Sequence, residues 1–204
     1  MFIILAIRII CLLIGYLFGC IQTAFIVGKI TKNIDVREHG SGNAGMTNVT
    51  RVIGRRAGLF VFVMDVLKAM AAFLLCAFFL GGEGFTLWTG LYAGFGVLLG
   101  HNFPFFLGFR GGKGIASSLG LMLLIDWRAA LAVYALGVVV VLIWRYISLA
   151  SLLMLFLFPV VLFALGHVVE TIAVTAVMTV MAFYLHRSNI QRLIGGTERK
   201  FGTS

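Results

Sequence analysis

Leu59-Phe-Val-Phe-Val-Met-Asp-Val-Leu-Lys-Ala-Met-Ala-Ala-Phe-Leu-Leu-Cys-Ala-Phe-Phe-Leu80 decides the fold class. At a helical rise of about 1.5 Å per residue this run is roughly 33 Å long, the thickness of a bilayer's hydrocarbon core. Its only ionisable side chains besides Cys76 are Asp65 and Lys68.

Outward from this stretch the chain is of the same kind. Of 204 residues, 61% are hydrophobic and 11% charged, and the mean hydropathy is +1.09. No water-soluble domain hides that much apolar surface. The reading is an all-α integral membrane protein of about seven transmembrane helices. The candidate spans are Phe2–Gly28, Leu59–Leu80, Phe85–Leu99, Ile115–Ile125, Ala129–Trp144, Leu149–Leu165 and Val168–Leu185. Ile115–Ile125 supplies only roughly 17 Å and Ala129–Trp144 roughly 24 Å, so the pair also reads as a re-entrant hairpin of unchanged parity.

Seven spans put the segments after the first, third, fifth and seventh on one side. These hold Lys29, Lys32, Arg37, Arg51, Arg55 and Arg56, then Arg110 and Lys113, then Arg145, then Arg187, Arg192, Arg199 and Lys200. The other side has Arg8 and Arg128 beside Glu83, Asp126 and Glu170. The positive-inside rule therefore predicts an N-terminus outside and a C-terminus in the cytoplasm. It also gathers the polar segments 37–58, 100–118 and 186–200 on the cytoplasmic face of a single polytopic membrane domain, 1–204. This topology, with anionic lipid, accounts for most of the net charge of +9, and nucleic acid is not an expected partner.

Other classes are excluded quickly. Cys11, Cys20 and Cys76 lie in apolar spans without paired spacing, and the four histidines are scattered with no His-Glu-x-x-His. Neither metal nor cofactor is expected. The first span runs into basic residues without a small-x-small site and is not a cleavable signal. The longest polar stretch, 29–58, is too short for an unaided soluble core.

The first segment is Arg37-Glu-His-Gly-Ser-Gly-Asn-Ala-Gly-Met-Thr-Asn-Val-Thr-Arg51. Gly40, Gly42 and Gly45 permit close backbone approach, and Ser41, Asn43, Thr47 and Asn48 offer short hydrogen-bonding side chains. Thr47, Asn48 and Arg51 take helical offsets that let the arginine face an anion. An ordinary turn-rich loop is the competing reading.

The second segment carries His101 and then Arg110-Gly-Gly-Lys-Gly114, which opens an apolar helix. Exposed amides at a helix N-terminus beside a lysine suit phosphate. It is not an NTPase P-loop, because Leu107 stands where that pattern needs glycine and Gly114 where it needs Ser or Thr. Basic residues that merely obey the topology rule are the alternative. In the third segment His186, Asn189 and Arg192 recur at one-face spacing, which makes the histidine a candidate to move a proton. A basic tail lying on anionic lipid is the plainer reading. Asp65 and Lys68, at i and i+3 within a span, are functional or mutually paired.

Together these residues resemble the PlsY family. The matching pattern is Ser-Gly-Asn-x-Gly-x-Thr-Asn-x-x-Arg over 41–51, Asp-x-x-Lys over 65–68, Gly-His-x-x-Pro-x-Phe and Phe-x-Gly-Gly-Lys-Gly over 100–114, and His-x-x-Asn-Ile-x-Arg-Leu-x-x-Gly-x-Glu-x-Lys over 186–200. Arg110 departs from the usual lysine but keeps its charge, and Met46 replaces a small residue. The resemblance implies a bacterial inner-membrane acyl-phosphate:glycerol-3-phosphate acyltransferase making lysophosphatidic acid, with glycerol-3-phosphate, long-chain acyl phosphate and membrane lipid as partners. The sequence is silent on oligomeric state, a monomer being compatible with it.

The implied roles follow from two phosphate-bearing substrates. Arg51, Lys113, Asn189 and the Gly111, Gly112, Lys113 and Gly114 amides hold phosphate. Ser41 and Asn43 bond the glycerol or the developing oxyanion. His186 accepts the proton, with Glu198 orienting it or the substrate. Gly40, Gly42, Thr47, Asn48, Lys68 and His101 complete the substrate-binding set. Ser41 as a covalent nucleophile and the leaving phosphate as proton acceptor stay open. A His-x4-Asp dyad is absent, since Ala44, Phe106, Ile172 and Gln191 stand five residues after the four histidines. An anion transporter with phosphate-binding loops is the alternative function, weakened because every motif maps to one face.

Overall fold

The computed structural model describes residues 2–82 and 86–202. Glu83 and Phe85, named above in the topology and at a span boundary, lie outside the described residues. Each of the seven apolar stretches is helical over most of its described residues. The chain divides into two compact units, Met1–Ile125 and Asp126–Ser204.

The first unit contains α1 (Phe2–Gly19), α2 (Thr23–Lys32), α3 (Met46–Val52), α4 (Arg55–Phe79), α5 (Leu87–Asn102) and α6 (Ile115–Ile125). The expected first span is interrupted: α1 stops at Gly19, and α2 resumes at Thr23 after Gln22. α1 and α5 approach through paired small residues, Gly15 and Gly19 against Gly96 and Gly100. A Cβ at any of them would fall inside the envelope of a carbonyl on the opposite helix: Ala93 and Val97 for the first pair, Leu12 and Tyr16 for the second. Such contact is how helices associate in lipid, where burying leucine gains little. α6 lies as closely on α4, with a Cβ on Gly120 falling 2.6 Å from the Val66 carbonyl oxygen.

The second unit contains α7 (Trp127–Trp144), α8 (Ile147–Ala164), α9 (Val169–Leu185) and α10 (Arg187–Ile194). Asp126 caps α7 by accepting from the Arg128 and Ala129 amides at 2.9 and 3.0 Å. Gly137 makes room for Met154 between α7 and α8, and Thr179 of α9 donates to the Leu155 carbonyl of α8 at 2.6 Å. α9 and α10 meet at a bend of 62°, with His186 at the corner.

Large apolar side chains face outward throughout, among them Leu59, Phe60, Phe79, Leu142 and Phe163, as lipid-facing helices require. By length and composition four helices among the described residues qualify to cross a membrane: Phe2–Lys32, Arg55–Phe79, Trp127–Trp144 and Ile147–Ala164. The bent pair Val169–Leu185 and Arg187–Ile194 makes a fifth if counted as one span. Ile115–Ile125, at 11 residues, is a shorter apolar helix.

Candidate active site

In the first unit the two glycine-bearing segments meet. After α2, whose C-cap Asn33 is left-handed, a short turn at Val36–Glu38 leads into the 39–45 loop. Asn48 of α3 organises this loop. Its Oδ1 accepts the Ser41 amide at 2.8 Å, and its Nδ2 donates to the Val36 and His39 carbonyls at 2.7 and 3.0 Å. The chain turns over it with Gly40 at φ +64° and Gly42 at φ +72°, where side chains are rare. Asn48 is fully buried with both amide hydrogens engaged, which corrects its expected place among the substrate-binding residues: it shapes the loop that carries Ser41.

Ser41 and Gly42 are exposed on that loop, Asn43 and Thr47 are half-buried, and Arg51 is exposed in the last turn of α3. Arg37, to which the sequence reading gave no role, ties the first segment to the second. Its guanidinium chelates Asp35 at 2.7–3.1 Å and donates to the Leu107 and Arg110 carbonyls at 2.8 and 3.0 Å. The hydrogen bonds from Arg37 hold the Asp35 carboxyl below the usual carboxylate range.

The second segment folds back on the end of α5. The Gly111 and Gly112 amides donate to the Asn102 and His101 carbonyls at 3.1 and 3.0 Å. These two amides were expected to cradle phosphate; being already engaged, they set the path of the loop instead. The glycines are required by contact, since a Cβ at Gly111 or Gly112 would strike the His101 carbonyl or imidazole. A Cβ on Gly112 would also come 2.6 Å from the Ala44 carbonyl oxygen, so the seam between the two segments runs there. Lys113 is half-buried just beyond it, and Gly114 turns into α6 at φ +76°.

Behind the seam is a buried polar cluster. The Lys68 ammonium contacts Asp65 Oδ1 and the Ile21 carbonyl at 2.7 Å each, and His101 Nδ1 at 3.0 Å. Thr23 donates to Asp65 Oδ1 at 3.3 Å, and Ser117 to the Asp65 carbonyl at 3.1 Å. Gln22 Nε2 donates to the Gly19, Gly100 and His101 carbonyls at 3.0–3.3 Å. The expected pairing of Asp65 with Lys68 is present. Lys68 and His101, expected among the substrate-binding residues, have side chains about 5% exposed or less and engaged with one another. Gln22, Thr23 and Ser117 were missed; a lone amide amid apolar residues was the available signal for Gln22.

In the second unit His186 donates its Nδ1–H to the Ala182 carbonyl at 2.8 Å, since a carbonyl can only accept. Neutral His186 therefore carries its lone pair on Nε2. Glu198, expected to orient His186 or the substrate, is occupied elsewhere. Its Oε1 accepts from Ser148 at 2.8 Å and Asn189 at 2.7 Å, and its Oε2 from Arg192 at 2.7 Å. The imidazole is held through Nδ1 by the last turn of α9. Burial pushes the Glu198 carboxyl up, but the hydrogen bonds from Asn189, Ser148 and Arg192 together hold it below its ordinary value. Ser148, 50 residues from its partner, had no signal in the sequence.

Residues 9–196 match the family model described as glycerol-3-phosphate acyltransferase. A glycerol-3-phosphate acyltransferase of Alkaliphilus metalliredigens is 44% identical over 96% of this chain and 97% of its own. That of Clostridioides difficile is 43% identical over 95% of each chain. Among solved structures, the glycerol 3-phosphate form of PlsY, an integral membrane glycerol 3-phosphate acyltransferase, superposes with a TM-score of 0.86 at 35% identity over 96% of both chains. Its lysophosphatidic acid form gives 0.83.

Proposed function

The chain belongs to the glycerol-3-phosphate acyltransferase family, acylates glycerol-3-phosphate in the first step of phospholipid synthesis and, we propose, draws its acyl group from an acyl phosphate. The observation that carries the choice of donor is the setting of His186. Its Nδ1–H rests on the Ala182 main-chain carbonyl rather than on a carboxylate, and the sequence has no His-x4-Asp dyad. A base so weakly supported suits a donor that is already activated, and an acyl phosphate is a mixed anhydride with a good leaving group.

The reaction is direct. The 1-hydroxyl oxygen of glycerol-3-phosphate bonds to the acyl carbonyl carbon, the carbon–oxygen bond to phosphate breaks, and the hydroxyl proton passes to His186 Nε2. The products are lysophosphatidic acid and orthophosphate. Most of the rate comes from positioning and charge stabilisation. Arg51, Lys113 and the Lys113 and Gly114 amides hold phosphate. Ser41, on the loop that Asn48 shapes, and Asn43 bond the glycerol or the oxyanion. Asn189 is a phosphate ligand presented by Glu198. Gly40 and Gly42 let the loop close on its ligand, and Thr47 completes the set.

An apolar groove of about 660 Å³ runs between α8 and α9, lined by residues including Phe156, Pro159, Phe163, Ile172 and Phe183. It begins at Phe183, one turn before His186, and supports an acyl chain lying along α9 while its carbonyl reaches the imidazole. The full assignment is a multi-pass enzyme of the bacterial inner membrane, with seven spans, the N-terminus outside and the polar segments 37–58, 100–118 and 186–200 at the cytoplasmic face of one functional domain.

The test is incubation of purified, detergent-solubilised protein with glycerol-3-phosphate and either palmitoyl phosphate or palmitoyl-CoA. Lysophosphatidic acid from the phosphate alone, lost in Lys113→Ala, is the expected result. Product from palmitoyl-CoA alone overturns the donor. A His186→Ala enzyme that loses only binding, with kcat intact, removes the proton-acceptor role.

A further inference from the structure

The chemistry above makes no use of the cluster around Lys68. An ammonium has three hydrogens to donate and no lone pair. Charged by its contact with Asp65, Lys68 has one for each of the groups around it: Asp65 Oδ1, the Ile21 carbonyl and His101 Nδ1. His101 must then present a lone pair at Nδ1, so its single ring proton sits on Nε2 and the imidazole is neutral. Nε2 lies against Gly112, on the side where an added Cβ would meet both the ring and the Ala44 carbonyl. The His101 carbonyl meanwhile accepts the Gly112 amide and the Gln22 side chain, each at 3.0 Å. One residue thus grips the second segment by its main chain and faces the seam with the first by its ring.

We propose that Lys68 is a tautomer lock and His101 the positioning residue through which it acts. By anchoring Nδ1, the ammonium fixes the ring edge that packs against Gly112, and ring and main chain of His101 together hold the backbone bearing Lys113 in register with the Ser41 loop. With the proton on Nδ1, that hydrogen would face the ammonium, donor against donor, and the ring would lose the contact that anchors it. Asp65, 2% exposed and within 2.7 Å, is what lets a lysine keep its charge there, and Thr23 steadies the carboxylate. Glycerol-3-phosphate binding then depends on a group that never touches it. Only this kinetic consequence rests on the reading of Lys113 as a phosphate ligand; the tautomer does not.

The experiment is ¹⁵N NMR of the full-length chain, labelled at its four histidines and held in lipid nanodiscs, with His101 assigned by the signals lost in His101→Gln. The Nε2–H form is expected at neutral pH. In the double variant Asp65→Asn/Lys68→Met, which leaves no lone buried charge, the proton redistributes to Nδ1. An Nδ1–H or imidazolium signal in the wild type, or an unchanged tautomer in the double variant, overturns the lock. In parallel, the double variant raises the KM for glycerol-3-phosphate about tenfold with kcat within about threefold. His101→Asn, whose amide oxygen stands near the Nδ1 position and can accept from Lys68, retains affinity that His101→Leu loses. A tautomer that shifts while KM stays fixed overturns the positioning role. A Lys113→Ala enzyme with unaltered KM overturns the phosphate reading instead, and the NMR result then decides the lock.

Discussion

The loops of residues 36–51 and 100–114 are held by main chain, whereas the 186–200 segment is held by one carboxylate. In the first region Asn48, Gln22 and Arg37 all donate to carbonyl oxygens, and glycines let backbone run against ring and helix end. In the second, Glu198 gathers Ser148, Asn189 and Arg192 at a single point. A network spread over carbonyls survives the loss of one bond but not a change of shape. A network centred on one carboxylate tolerates changes of shape around it but not loss of its centre.

The largest effect expected is on charge in the first region. Lys113→Ala should lower kcat/KM by about 10²–10³-fold, the scale for removing one donor from a charged transition state, with thermal stability unchanged. An unstable variant would mean that Lys113 belongs to the scaffold. Gly112→Ala comes next, because its new methyl must displace the His101 ring or the Ala44 carbonyl. A rise in KM of about tenfold or more is expected, and the shape-dependence of this region is wrong if Gly112→Ala is no worse than Gly196→Ala, where φ is +68° but the space is open.

Much of this contrast was legible in the sequence, though not its direction. The apolar stretches announced the helices, because lipid demands continuous apolar length, and residue types marked all three polar segments. The break at Gly19–Gln22 was hidden, since Gly19, Cys20 and Ile21 suit a span and only Gln22 does not. Sequence also shows donors without showing where they point. Asn48 and the Gly111 and Gly112 amides read as ligand groups, yet they face the protein's own carbonyls. The resemblance offered Glu198 as a group orienting His186 or the substrate, but gave no sign of its partner Ser148, on a helix 50 residues away.

In the second region, Glu198→Ala strands three donors at once and should cost about 2 kcal/mol or more in unfolding experiments, together with activity, because Asn189 loses its support. Its pH dependence sharpens the point. A carboxyl depressed in the folded chain contributes stability that is fully present above its unfolded value, about pH 4.3, and drains away as pH falls through the lower folded value. Melting temperature against pH should therefore slope more steeply below about pH 4.3 in the wild type than in Glu198→Gln. Equal slopes would show that the carboxylate is not the centre. The smallest effect is expected at Arg145, whose side chain and carbonyl meet the Phe201 backbone at 3.0 and 2.6 Å. Its guanidinium is exposed, so Arg145→Ala should change stability by about 0.5 kcal/mol or less.

The position of Asp65 and Lys68 on the same helix also bears on how the chain enters the membrane. Both partners belong to α4, three residues apart, so their contact forms as soon as that segment coils. It needs neither the arrival of α5 with His101 nor the docking of α1. During biogenesis the segment therefore presents the translocon with a compact dipole instead of two separate ions, which lowers the barrier to partitioning into lipid. Moving either residue to a neighbouring helix would preserve the folded contact while exposing each charge alone at the moment of insertion.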